Sequence, residues 1–157
     1  MTTFSVRAID AAELAEVRST GFDRSGHPTE PFVDAEGGSQ LRCCLRRSRA
    51  GERLLLVGHA PLAADHPWRE VGPVFIHASP CPGYLTPGSV PTWFDDAPRV
   101  VRAYDAGGAM IHAANRVVEA GEGVAQALDA VFEDPRVSEV HVRNLLAQCF
   151  VAKAVRA

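Results

Sequence analysis

The chain has 157 residues, 46% of them hydrophobic, with a net charge of −3 and an isoelectric point near 6.0. That length suits one domain with a proper core and is short for two, and the acidic balance argues against a general nucleic-acid binder, which carries a basic excess. No apolar run nears the roughly 20 residues that span a bilayer, and Met1–Asp10 lacks a basic stretch followed by an apolar one, so a soluble, cytoplasmic protein with no membrane partner is expected.

Phe4 to Ile9 alternates weakly and reads as a short strand. Asp10-Ala11-Ala12-Glu13 resembles a capping box that opens a helix through about Arg18. Gly21 to Gln40, with two prolines and four glycines, reads as a long loop. Leu41–Arg47 and Arg53–Ala60 look like a hairpin turning at Ala50-Gly51. Val71–Ala78 is strand-like, and Ser79–Pro98 is a second long loop carrying Cys81, Tyr84, Trp93 and Phe94. Arg99–Tyr104 and Ala109–Val118 form a further hairpin around Asp105–Gly108. The clearest helix is 123–133, where Val124, Ala127, Leu128, Val131 and Phe132 make one apolar stripe that Pro135 terminates. Strands near Val137–Arg143 and Cys149–Val155 close the chain.

The expected fold class is α+β, with a mostly antiparallel sheet of about seven strands and two helices packed on one face. Residues 1–157 are read as a single domain, 1–40 holding the first strand, the short helix and the long loop, and 41–157 the main sheet with helix 123–133.

Alternation along the strands sorts the reactive side chains. In an extended Leu41–Arg46, residues Arg42, Cys44 and Arg46 face opposite Leu41, Cys43 and Leu45. In Val137–Arg143, His141 and Arg143 face opposite Val140 and Val142. Arg102 and Tyr104 share a side of their strand. Arginine outnumbers lysine fifteen to one, Lys153 being the single lysine, and guanidinium is the group suited to bidentate anion recognition.

Taken together, Leu41–Arg47, Gly51–Val57, Glu70–His77 with Cys81 and Tyr84, Arg102–Asp105, and His141–Asn144 with Cys149 and Phe150 resemble, in order, a bacterial family known as domain of unknown function number 1203. The resemblance covers nearly all of the chain from Leu41 onward. It implies one complete domain, and it implies no activity, substrate or catalytic residue.

The chemistry is therefore read from the residues. The leading expectation is recognition, and turnover, of a small anionic metabolite in a pocket on one sheet face beneath the long loops. Arg42, Arg46, Arg102 and Arg143 would hold the anion, with Tyr84, Tyr104 and Trp93 as flat walls. His77 and His141 would serve as acid and base, and Cys44 or Cys81 as nucleophile. A second reading is a non-catalytic interaction module or homodimer built on the exposed sheet face or edge. A third is a metal-binding domain using Cys44, His77 and Cys81, with His112 and His141 as further imidazoles of suitable chemistry. Against it stands the lack of a Cys-x2-Cys pair, and no metal is expected as the primary reading. In a reducing compartment the four cysteines are thiols, and Cys43 and Cys149 are read as small core residues. Phosphate-binding loops, dinucleotide fingerprints, zinc-protease helices and hydrolase elbows are all missing from the sequence.

Overall fold

A computed structural model describes residues 3–157. Its elements in chain order are β1 (Phe4–Arg7), α1 (Ala11–Thr20), β2 (Phe32–Asp34), β3 (Glu52–His59), β4 (Gly72–His77), β5 (Arg99–Tyr104), β6 (Arg116–Val118), α2 (Val124–Phe132), β7 (Glu139–Asn144) and β8 (Phe150–Arg156), with 3-10 turns at Thr92–Asp96 and His112–Ala114. The fold class is α+β, and every strand pairing is antiparallel. The strands form two sheets rather than one, of order β1-β8-β7-β5-β6 and β2-β3-β4. Among the described residues no helix is long and apolar enough to cross a membrane.

Residues 3–7, 61–70 and 86–157 make the unit that holds the five-stranded sheet. All five stripe residues of α2 are buried, and Phe132 stacks on Phe4 with ring centroids 6.1 Å apart. Gly123 has no side chain to cap the helix, so Asp95 accepts from the Val124 N–H at 2.7 Å instead. β7 lies between β5 and β8, and Val140, His141, Val142 and Arg143 are all buried. Both faces of β7 are covered, so alternation there separates two buried sides and not core from solvent.

Residues 8–60 and 71–85 make the other unit. Asp10 caps α1 by accepting from the Ala12 N–H at 3.0 Å. The expected partner in that box, Glu13, turns instead to His59, with 2.7 Å between carboxylate and Nδ1. The segment 41–47, expected to be a strand hairpinned with 53–60, is a tight loop, and β3 pairs instead with β2 and β4. The loop closes at its base by an antiparallel bridge between Gln40 and Arg47 and by Leu41 N–H donating to the Arg46 carbonyl at 2.9 Å. Leu45 N–H donates back to the Leu41 carbonyl, and Leu45 adopts φ 57°, the left-handed conformation that reverses the chain. The loop docks on β4 through a parallel bridge between Leu41 and Phe75, with Arg42 N–H donating to the Phe75 carbonyl at 2.9 Å.

Candidate functional site

Reversing the chain between Leu41 and Arg46 brings Cys43 and Cys44 to the same place, where an extended strand would have sent them to opposite faces. His77 ends β4, and Cys81 follows in the proline-flanked loop after it. The three sulfurs and one imidazole nitrogen of Cys43, Cys44, Cys81 and His77 all lie within 4.8 Å of one another. His77 Nδ1 is 3.4 Å from the Cys43 sulfur and 3.9 Å from that of Cys44. Cys43 is buried, and Cys44 and Cys81 are half-buried.

The surroundings hold this group in place. The His77 backbone N–H donates to the Cys43 sulfur at 3.3 Å, and the His77 carbonyl accepts from Arg18 Nε at 3.2 Å. The far ring nitrogen, Nε2, is 3.0 Å from Arg46 Nη2 and 3.4 Å from Glu52 Oε1. Arg46 grips Glu52 with two hydrogen bonds of 2.6 and 3.0 Å, and that guanidinium holds the carboxyl at about 2, so it stays ionised. Two proton arrangements suit the ring. With Nδ1 protonated, it donates to the sulfurs while Nε2 accepts from Arg46. With Nδ1 as a metal ligand, Nε2 carries the proton and Glu52 is the carboxylate within reach, the arrangement that orients metal-bound histidines, and Arg46 Nη2, a donor 3.0 Å away, would turn from the ring.

Contact with Cys43 is the main influence on the Cys44 thiol and brings it down to about 6, aided by the Arg46 backbone N–H and the nearby charges of His77 and Arg46 and opposed by burial. The same contact, reinforced by burial, pushes Cys43 up. The two thiols therefore titrate as a pair, with Cys44 the sulfur favoured as thiolate and Cys43 the one disfavoured.

The other expected site residues divide between the units. Arg42 is a buried member of the cysteine loop itself, and its guanidinium donates to the Gln40 carbonyl. Tyr84 is half-buried in the loop after Cys81. Arg102, Tyr104, His141 and Arg143 belong to the five-stranded sheet. There Arg102 and Arg143 meet the Glu70 carboxylate at 3.2 and 3.6 Å, and each also reaches Gln148. Burial lowers the Arg143 pKa, as does repulsion from Arg102. His141 is 1% exposed. Its Nε2 meets Glu139 at 2.7 Å, and its ring lies 4.5 Å from Tyr104 and 5.6 Å from Phe150. An open cavity of about 780 Å³ in this unit is lined by other residues, among them Asp105, Met110, His112 and Arg136. His112 packs edge-on against Trp68. Trp93 carries the Arg99 guanidinium on its ring face, and Cys149 lies apart from the cysteine group.

Cys43 and Glu52 are the participants that alternation missed. The adjacent cysteine pair itself was the available signal for the first; for the second, nothing marks the acid at the start of β3 as a partner of His77.

A family described as "Protein of unknown function (DUF1203)" matches residues 38–156, so the chain belongs to that family, as the sequence motifs implied. No curated protein and no solved structure matches it.

Proposed function

We propose that this member of the family is a metal-binding domain whose centre is a single four-coordinate ion, zinc by its donor chemistry, held by the sulfurs of Cys43, Cys44 and Cys81 and by His77 Nδ1. The observation that carries the reading is the convergence of four donor atoms within 4.8 Å. Tetrahedral zinc, with bonds of about 2.3 Å to sulfur and about 2.0–2.1 Å to nitrogen, sets its ligand atoms about 3.6–3.8 Å apart. The 3.4 and 3.9 Å separations between His77 Nδ1 and the two loop sulfurs bracket that spacing. An iron–sulfur cluster places its own sulfides between the iron atoms and needs a wider cage. Four protein ligands leave no open position, which is the signature of a structural centre. Such an ion would tie the 41–47 loop, the end of β4 and the loop bearing Cys81 together.

Elemental analysis of chain purified without a chelator or a metal-affinity tag tests this. One zinc per chain is expected, and cobalt in its place should give the strong visible bands of a tetrahedral thiolate site. Substoichiometric metal together with a featureless cobalt titration would refute the reading.

One observation favours a second reading, small-anion recognition by Arg102 and Arg143: they already converge on a carboxylate, that of the half-exposed Glu70. A ligand carboxylate would take the place of Glu70. Thermal stabilisation by a panel of anions, lost in Arg143→Ala, is the expected result, and a flat response across the panel counts against it.

A further inference from the structure

We propose that Cys44 and Cys81 form a peroxide-sensitive modification site, at which oxidation joins the two sulfurs as a disulfide and expels the metal ion. The inference rests on the metal-binding reading above and gives that centre a reaction.

Burial separates the three cysteine residues. Cys43 is 1% exposed and accepts the His77 backbone N–H, whereas Cys44 and Cys81 are both half-buried. As whole residues Cys44 and Cys81 are thus nearer solvent than Cys43, with Cys81 the more open of the two.

Placement then selects the pair. The sulfurs of Cys44 and Cys81 lie within 4.8 Å, and a disulfide needs about 2.05 Å, so the approach required is under about 3 Å. Cys81 supplies that movement. It sits between Pro80 and Pro82 in a loop outside every strand, with no ladder hydrogen bond to break. Cys43 and Cys44 are poor partners for each other. They are chain neighbours, and bridging them would distort the planar peptide between them.

The chemistry balances with hydrogen peroxide as the oxidant. The Cys44 thiolate attacks one peroxide oxygen, the O–O bond breaks, hydroxide leaves, and the sulfur becomes a sulfenic acid. The Cys81 thiolate then attacks that sulfur and displaces hydroxide, forming the S–S bond. Two thiolates lose two electrons in all, and one peroxide gains them. The ion loses two of its four ligands, and Cys43 with His77 cannot retain it. A dithiol reductant reverses the bond by exchange and restores the site for the metal.

The test uses the full chain, purified reduced, with its metal content measured first. Hydrogen peroxide is then added in the presence of a chromogenic zinc chelator, and the products are alkylated, digested and weighed by mass spectrometry. The expected result is release of close to one equivalent of zinc, a peptide cross-linked through Cys44 and Cys81, and recovery of binding after dithiothreitol and added zinc. A Cys149→Ser chain should behave the same, since that thiol lies outside the group. Zinc retained at peroxide doses that oxidise Cys149, or a cross-link that includes Cys43, overturns the inference and leaves the metal centre standing. Reduced chain that carries no metal at the outset removes the centre and this reaction with it.

Discussion

Each sheet carries a histidine backed by a glutamate, and the two are put to different uses. His141 Nε2 meets Glu139 at 2.7 Å, while its Nδ1 is buried without a hydrogen-bond partner among the described residues and the ring packs between Tyr104 and Phe150. His77 Nε2 faces Glu52 at 3.4 Å, and its Nδ1 faces two sulfurs. The difference comes from where each residue stands in its sheet. β7 is central, between β5 and β8, so neighbouring strands fill the space around His141. β4 is an edge strand of its sheet and His77 is its last residue, so two loops reach the ring and bring cysteines to it. A carboxylate behind an imidazole does not make a site; what faces the second nitrogen decides.

Substitutions at the two histidines break this comparison most sharply. His77→Ala should lower zinc affinity by more than the 10–100-fold typical of losing an outer partner, and it should abolish metal retention through gel filtration. His141→Gln should leave the metal content unchanged. Removing the metal should also lower the melting temperature, because an ion present at a thousand times its dissociation constant stabilises the folded state by about 4 kcal/mol. Glu52→Gln comes next. It keeps the shape of the side chain but weakens the hold on the His77 ring, and chelator competition should read a loss of about 10–100-fold.

On the other side of the comparison, Glu139→Ala should cost about 1–3 kcal/mol in urea unfolding, the usual result of depriving a buried group of its partner, with zinc stoichiometry untouched. Acid sharpens the same contrast. Burial lowers the His141 pKa, and Glu139 only partly opposes it. The unfolded chain then takes up this proton more readily than the folded one, so the contribution of neutral His141 is complete above about pH 6.5 and is lost as pH falls below it. The stability of His141→Gln should fall less steeply than wild type between pH 7 and 5. Zinc loss in that range is common to both chains and cancels in the difference. The smallest effect is expected for Arg102→Ala, whose partner Glu70 is half-exposed. Its melting curve should move by the equivalent of less than about 1 kcal/mol.

Periodicity found the elements whose burial and backbone agree. The α2 stripe is one such element, and the closing strands β7 and β8 are others, while the Asp10 cap is legible from its own motif. It failed at 41–47 for a definite reason. Leu41, Cys43 and Leu45 are indeed buried, at 1%, 1% and 2% exposure, as their alternation implied, although Arg42 between them is buried too. The backbone beneath them is a turn, and its left-handed residue is a leucine, with none of the Gly or Asn that ordinarily marks such a position. Reading the segment as a strand placed Cys43 away from Cys44, which concealed the fourth member of the proposed metal site. The same misreading gave β3 the wrong neighbour. Its true partner, β2, has only three residues, two of them exposed, too few to show a period of two.

The cysteine loop also acts as a guard. Without it, β4 would present bare N–H and C=O groups to solvent, an open template for pairing with another chain. Through the Leu41–Phe75 bridge and the Arg42 N–H, the loop caps part of that rim. Whatever loosens the loop uncovers the rim, so stripping or oxidising the thiols should leave the chain prone to self-association through β4.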